Sequence, residues 1–395
     1  MKPRHPPPRD PFEAEPARPG LPVSGRGATG SMVDLRPIAF VLGRVLLVFA
    51  AMMLVPAALD LLDDVPDLAA FLQSAILTGF VGLLLSLATG NAVRTTLDTR
   101  QAYVLTFAIW VIVPMFGALP FLFGPPHLSL TDAYFEAVSG ITTTGSTVIV
   151  GLDNLPPGVN LWRGILSWLG GLGIAFVAMI FLPVMRVGGM QFFRTEGFDT
   201  LGKVLPRAAD IAWGLVVVYV GLSVVCILTY RMIGMSGLDA TVMGAATIAT
   251  GGFTPSDLSF GKYPGLAEYV GTLFMILAGL PFIHFVSLMN GQTLPIRRDP
   301  QVRAFLLWLG MAVVLVTMWR VNSSSTGVEQ AFRETLFNLT SIMSGTGFFS
   351  GNFDAWEGFA LVVAFILGVI GGCSGSSSGA LSVFRVQLTL RAIAN

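Results

Sequence analysis

The chain has 395 residues, of which 53% are apolar and only 12% charged, against about 25% charged in an ordinary soluble domain. Its 23 basic and 23 acidic residues cancel, and the mean hydropathy is +0.74. Several apolar stretches of spanning length exclude a soluble globular enzyme, a coiled coil and a disordered chain, and are too long for β-barrel strands, which leaves an all-α polytopic membrane protein.

Without a strongly basic field there is no case for nucleic acid as a partner. The two cysteines, Cys226 and Cys373, have no motif spacing and read as buried small side chains. The 45 glycines suggest close helix contacts or irregular backbone lining a cavity.

Residues 1–31 are proline-rich, without apolar periodicity, and read as a disordered cytosolic tail. They lack the apolar stretch of a signal peptide, and Met32 offers an alternative start. Eight stretches of spanning length follow, at about 37–59, 69–90, 102–123, 161–186, 210–234, 264–290, 303–320 and 356–384. With the N-terminus inside, the cytoplasmic segments hold Arg36, Arg94, Arg100, Arg186, Arg194, Lys203, Arg207, Arg297, Arg298, Arg303, Arg385 and Arg391. The opposite side holds only Arg163, Arg231, Lys262, Arg320 and Arg333. This asymmetry follows the positive-inside rule and leaves the C-terminus inside as well.

Three segments between spans are too short to cross. Each begins with a helix-compatible stretch, the first from about Asp132 to Ile141. Each then reaches a Thr-Gly pair: Thr144-Gly145, Thr250-Gly251 and Thr346-Gly347. The unit of span, half-helix, Thr-Gly loop and span recurs at about a hundred residues. The expected organisation is a tail (1–31), two N-terminal transmembrane helices (32–95) and three pore repeats (96–190, 191–292 and 293–395).

A half-helix entering from outside points its C-terminal end, carrying roughly −0.5 charge, at the membrane middle. The glycine that follows allows the backbone to turn carbonyl oxygens inward. Several such loops around one axis form a ring that replaces the water shell of a monovalent cation.

These runs resemble the TrkH family of potassium-uptake proteins, within the Trk/Ktr/HKT superfamily, from about residue 33 to the C-terminus. SGITTTGSTVIVGLDNLPPGVNLWRGILSWLGGLGI resembles the first pore loop and the helix after it. RVGGMQFFRTEG resembles the following cytosolic stretch, and IATGGFTPSD and SGTGFF the second and third pore loops. GGCSGSSSGALSVFRV resembles a Gly-rich break in the third repeat's second helix.

The resemblance implies a pseudo-fourfold potassium pore within one chain, with K+ as the transported ion, no other cofactor and no enzymatic activity. It puts the filter glycines at Gly145, Gly251 and Gly347. Glycine at the first of these goes with potassium rather than sodium. The filter carbonyls would come from Thr143, Thr144, Gly145, Thr250, Gly251, Thr346 and Gly347. A gate below them maps to Gly371, Gly372, Cys373, Ser374, Gly375, Ser376 and Gly379. The implied partner is a TrkA-type cytosolic nucleotide-binding regulator, forming a ring under a transporter homodimer in the bacterial inner membrane.

Two departures stand out. Gly345 replaces a threonine of the family's usual run and is expected to loosen that corner of the filter. The family's fourth repeat is missing after RAIAN, so the expectation is a truncated pore that need not transport on its own.

Other readings compete. Gly375-Ser376-Ser377-Ser378-Gly379 matches G-x-S-x-G, the mark of a serine hydrolase, but lacks the preceding strand and a nearby base. A secondary transporter of another small solute would predict inverted repeats, whereas these repeats share one topology. A sodium-selective pore is a further alternative.

His284, inside a span, is a candidate proton relay. It has no acidic neighbour in sequence, which favours a hydrogen-bonded packing role. Asp132 and Glu136 would attract cations in an outer vestibule, or else cap and anchor the half-helix. Gly170, Gly171 and Gly173 suggest a hinge or close helix packing. Trp162, Trp168, Trp308 and Trp319 read as interfacial anchors.

Overall fold

A computed structural model describes residues 34–62, 68–92, 98–181, 208–323, 326–353 and 356–394. The tail, Met32 and the basic positions Arg94, Arg186, Arg194, Lys203 and Arg207 lie outside the described residues. Every regular element among the described residues is helical.

Helices α1 (Arg36–Leu62) and α2 (Leu68–Ala88) form the N-terminal pair. The first repeat has α3 (Thr99–Gly117), a short α4 (Leu119–Phe123), the half-helix α5 (Leu130–Ile141) and α6 (Pro157–Phe181). The second has α7 (Ala208–Met232), the half-helix α8 (Gly237–Ala249), α9 (Leu266–Ala278) and α10 (Phe282–Met289). After α11 (Leu294–Arg298), the third has α12 (Pro300–Ser323), the half-helix α13 (Val328–Ser344), α14 (Phe359–Ile370) and α15 (Val383–Ala394).

Among the described residues five helices are long and apolar enough to cross a membrane, or six if the bent pair α9–α10 is one span. Their outward faces carry exposed Ile76, Phe107, Trp213 and Phe365. Such apolar exposure would be a liability in water and is ordinary where lipid is the solvent.

The described residues pack into three cores, and the second of them reaches into the third repeat through Phe337. The first gathers α1, α2, α5 and α6 around Phe49, Phe71 and Trp162. The second packs Tyr219, Tyr230, Phe260, Phe274 and Phe337. The third packs Phe305, Leu339, Met343 and Trp356.

Three expectations change. The stretch 264–290 is not one straight span: α9 and α10 bend by 89° at Gly279-Leu280-Pro281. Proline lacks an N–H and its ring clashes with the carbonyl four residues back, so the helix stops there. The stretch 356–384 is interrupted where its Gly-rich run resembles a break: α14 ends at Ile370 and irregular backbone runs from Gly371 to Ser382.

Trp162 and Trp168 are not interfacial anchors. Trp162 is fully buried between Phe49 and Phe71 and donates from Nε1 to Gly117 O at 2.9 Å. Trp168 donates to Ser223 Oγ at 2.9 Å. Finally, Asp132 does not cap α5. Ser129 does, its side chain accepting from Asp132 N at 3.2 Å, and Ser236 caps α8 in the same way.

Candidate functional site

The three half-helices end in loops of one shape. Each loop makes the same backbone bond to the carbonyl five residues back: Thr144 N to Ser139 O at 2.9 Å, Gly251 N to Ala246 O at 2.8 Å, and Thr346 N to Ser341 O at 2.8 Å. The residue before the donor is left-handed in all three, with φ of 55° at Thr143, 51° at Thr250 and 76° at Gly345. The residue after it is a left-handed glycine: Gly145, Gly252 and Gly347, at 77°, 70° and 83°.

These bonds fix the register. Thr144, Gly251 and Thr346 are equivalent, and so are Gly145, Gly252 and Gly347. The family resemblance pairs Gly251 with Gly145 and Gly347, one residue short of the glycine that the dihedrals make equivalent in the second loop. The Gly251-Gly252 doublet hid the slip, because either glycine satisfies the pattern and only the dihedrals separate them. Gly252 is thus a residue that sequence reasoning missed. The departure at Gly345 falls at the left-handed position, where glycine avoids a strain that Thr143 and Thr250 carry.

The loops also touch in order. A Cβ on Gly145 would lie 2.5 Å from Gly251 O, and one on Gly252 would lie 2.2 Å from Thr346 O. Each of these glycines therefore presses its backbone against a carbonyl of the next loop.

Outgoing segments follow the loops. In the first, Glu136 of α5 accepts from Thr147 Oγ1 at 2.9 Å and Val148 N at 3.2 Å. In the third, Asn338 stands at the equivalent place and accepts from Ser350 N at 3.0 Å while donating to Ser350 O at 2.9 Å. In the second, the equivalent residues are Met243 and Pro255. Proline has no N–H to satisfy and methionine offers no strong acceptor.

Glu136 is fully buried and paired with buried Arg163, Nε to Oε1 at 2.8 Å. The vestibule role considered for it is overturned; it anchors the loop. Further out, Asp153 accepts from Ser256 Oγ and Asp257 N, and Asp257 accepts from Gly151 N and Leu152 N, tying the first two outgoing segments together.

Among the described residues no group of three or more His, Cys, Asp or Glu is placed to hold a metal. What the loops offer an ion is backbone and hydroxyl oxygen.

A cavity of about 290 Å³ adjoins the loops. Thr142, Thr143, Thr144, Thr250 and Gly345 line one part of it, and Ser377, Ser378, Gly379 and Ala380 of the irregular segment line another. Thr250 Oγ1 donates across to Ser377 O at 2.9 Å.

The segment is held by the break between α9 and α10. Cys373 N donates to Gly279 O at 3.0 Å, Ser377 N to Ala278 O at 3.3 Å, and Phe282 N to Gly375 O at 3.0 Å. Two interrupted helices thus satisfy one another's freed backbone groups, as backbone buried away from water requires. The candidate gate residues Gly371, Gly372, Cys373, Ser374, Gly375, Ser376 and Gly379 all lie in this segment.

Beside it, His284 Nε2 meets Asp299 Oδ2 at 2.6 Å. Asp299 Oδ1 also accepts from Gln301 N, and Gln301 Oε1 accepts from Ser374 N. Ser377 follows a helix and irregular backbone rather than the strand that a nucleophile elbow needs.

Gly170 and Gly171 are packing residues. A Cβ on Gly170 would lie 2.0 Å from Ile141 O, and one on Gly171 would lie 2.6 Å from Tyr219 Oη. Gly173 has nothing within 4 Å.

The TrkH family, described as cation transport protein, matches residues 68–393. A Trk system potassium uptake protein, TrkI, of Halomonas elongata is 38% identical over 92% of this chain and 74% of its own length. The TrkH protein of Escherichia coli is 34% identical over 91% and 75%. The crystal structure of the potassium transporter TrkH from Vibrio parahaemolyticus superposes with a TM-score of 0.82 at 31% identity. It covers 91% of this chain and 75% of that one.

Proposed function

This chain belongs to the TrkH family of cation transport proteins, and on that premise we propose that it forms a potassium-uptake pore of Trk type in a bacterial inner membrane. The observation that carries the reading is the threefold recurrence of one loop geometry beside one cavity. Members of this family are ion transporters rather than enzymes, so the hydrolase reading falls.

In this reading K+ is the transported ion. It sheds water against carbonyl oxygens arranged in three tiers: Thr143, Thr250 and Gly345; Thr144, Gly251 and Thr346; Gly145, Gly252 and Gly347. The half-helix ends, with their partial negative charge, face the ion from three sides. Ions leave the filter into the cavity beside the loops. The segment from Gly371 to Gly379 closes that cavity and opens it by exchanging its bonds to the α9–α10 break.

The repeats run over 96–190, 191–292 and 293–395, after two helices within 32–95. Both termini are cytoplasmic. Of the outer-side basic residues, Arg163, Arg320 and Arg333 are held in ion pairs with Glu136, Glu334 and Glu268. A TrkA-type nucleotide-binding regulator under a homodimer would act on the gate from the cytosolic side.

The test is potassium-limited growth of a potassium-uptake-deficient bacterium expressing this chain with a TrkA-type partner, alongside tracer rubidium uptake into vesicles containing the purified protein. Rescue with potassium-competed rubidium entry is expected when this chain is extended with a relative's fourth repeat. Neither signal from the short or the extended chain, with protein present in the membrane, overturns the reading.

A further inference from the structure

We propose that Arg163 and Glu268 are positioning residues that set the ion preference of the filter, each holding the next repeat's loop from the second helix of its own repeat. The proposal rests on the pore reading above. Arg163 stands on α6 of the first repeat. It pairs with Glu136, donates from a terminal nitrogen to Thr254 O in the second outgoing segment at 2.8 Å, and lies over the Phe253 ring at 4.3 Å. Glu268 stands on α9 of the second repeat. It accepts from Ser350 Oγ in the third outgoing segment and from Gly265 N, and it pairs with Arg333 of α13. The two contacts pass in the same direction around the loops, from repeat one to two and from two to three.

The second loop shows why such contacts matter. The first and third loops are anchored to their own half-helices, through Glu136 to Val148 N and through Asn338 to Ser350 N. The second loop has Met243 and Pro255 at these places and makes no such bond. Its outgoing segment is held from the first repeat instead, by Arg163 at Thr254 O and by Asp153 at Ser256 Oγ.

The third repeat makes its own anchor with a neutral amide, so a charge is not needed for anchoring. The carboxylate of Glu136 does something Asn338 does not: it keeps a buried guanidinium in place whose other nitrogen reaches the neighbouring loop. A carbonyl ring discriminates between alkali cations only while its oxygens keep their spacing, whether size or field strength does the discriminating. Hydrogen bonds in a water-excluded site are stiff enough to hold that spacing.

The test removes the cross-link while leaving the anchor. Glu136→Gln with Arg163→Met takes both charges away together, so no buried charge is orphaned. An amide oxygen remains for Val148 N, and nothing reaches Thr254 O. Two readouts apply to the full chain. One is rubidium uptake competed by potassium or sodium; the other is the melting temperature of purified protein in potassium, sodium and choline chloride.

The wild type is expected to prefer potassium in both. The double variant is expected to melt in choline within a few degrees of wild type, to lose potassium-over-sodium preference at least tenfold, and to lose most of the potassium-specific thermal shift. Glu268→Gln is expected to do the same to a smaller degree. Should the double variant fail to fold, Arg163→Lys keeps the charge beside Glu136 but cannot fork to Thr254 O, and the same loss is expected.

Folded variants that keep the wild-type preference overturn this proposal alone. A wild-type chain that shows no potassium preference in either readout, both alone and extended with a relative's fourth repeat, overturns the pore reading and this proposal with it.

Discussion

The loops and the helix breaks both place irregular backbone at membrane depth, yet they satisfy it by opposite means. Each loop is closed locally, by one N–H bonded five residues back onto its own half-helix, and the arrangement occurs three times. The breaks are closed at long range, by Cys373, Gly375 and Ser377 exchanging bonds with Ala278, Gly279 and Phe282, once. Local closure survives motion elsewhere. Long-range closure is released when two segments separate, which is what a gate requires. In the proposed pore the loops would keep their shape and the Gly371–Gly379 segment would change its own, with Thr250 Oγ1 on Ser377 O as a direct link.

The largest effect is expected where one loop presses on the next. Gly252→Ala would bring a Cβ to 2.2 Å from Thr346 O in a left-handed backbone, and should abolish uptake and lower yield. Gly347→Ala has the same handedness but nothing within 4 Å. It should cost only the left-handed strain of about 1–2 kcal/mol, with protein still folded. Melting and uptake of the two variants decide the matter, since equal damage would mean that the loops do not press on one another in series.

Next comes the second loop's missing anchor. Pro255→Ala exposes a buried N–H with no acceptor, at about 1–3 kcal/mol. Adding Met243→Asn should restore much of that by copying the Asn338 arrangement. A double variant no more stable in thermal unfolding than the single one would contradict the register drawn between repeats.

The link between the two halves should give a smaller and different effect. Thr250→Val removes the hydroxyl shared between Ser377 O and Ala249 O, with the hold across to Ser377 contributing about 0.5–1.5 kcal/mol. Relieving that hold should raise the open fraction about two- to tenfold, seen as faster rubidium leak. Slower leak would show that the bond supports the open state.

The same contrast explains what was legible in the sequence. The three half-helices and their loops stand out because a local rule repeats: a short apolar helix, then threonine and glycine. The register of the second loop was not legible, because Gly251 and Gly252 are interchangeable on paper and only a backbone angle separates them. The α9–α10 bend was written in Gly279-Leu280-Pro281, but the apolar run across 264–290 masks it. Its counterpart at Gly371 was visible as a break, while the bonds joining the two, about a hundred residues apart, have no sequence signature. Glu136 and Arg163 were each visible as charges in apolar surroundings. Their pairing across 27 positions, and the reach of Arg163 to Thr254, come only from the fold.

The smallest effect belongs at the outer rim, where the loops meet water. Lys262 Nζ lies 2.9 Å from Asp239 Oδ2 and 3.6 Å from Asp153 Oδ1, joining the foot of α8 to the first outgoing segment. Partial burial works against its charge, but the hydrogen bond and attraction to Asp239 outweigh that and raise its pKa above the ordinary 10.5. A raised lysine pKa contributes stability that is fully present below the unfolded value and is lost only as pH rises through the folded one. Between about pH 6 and 9, then, the melting difference between wild type and Lys262→Met should be flat, and under about 1 kcal/mol because the pair is solvent-screened. It should also shrink with added salt, unlike the buried Glu136–Arg163 pair. A slope with pH in that window would mean that another group, closer to neutrality, shares the rim contact, and a large effect would move the boundary between the rigid half of the molecule and its surroundings outward to the loops' solvent face.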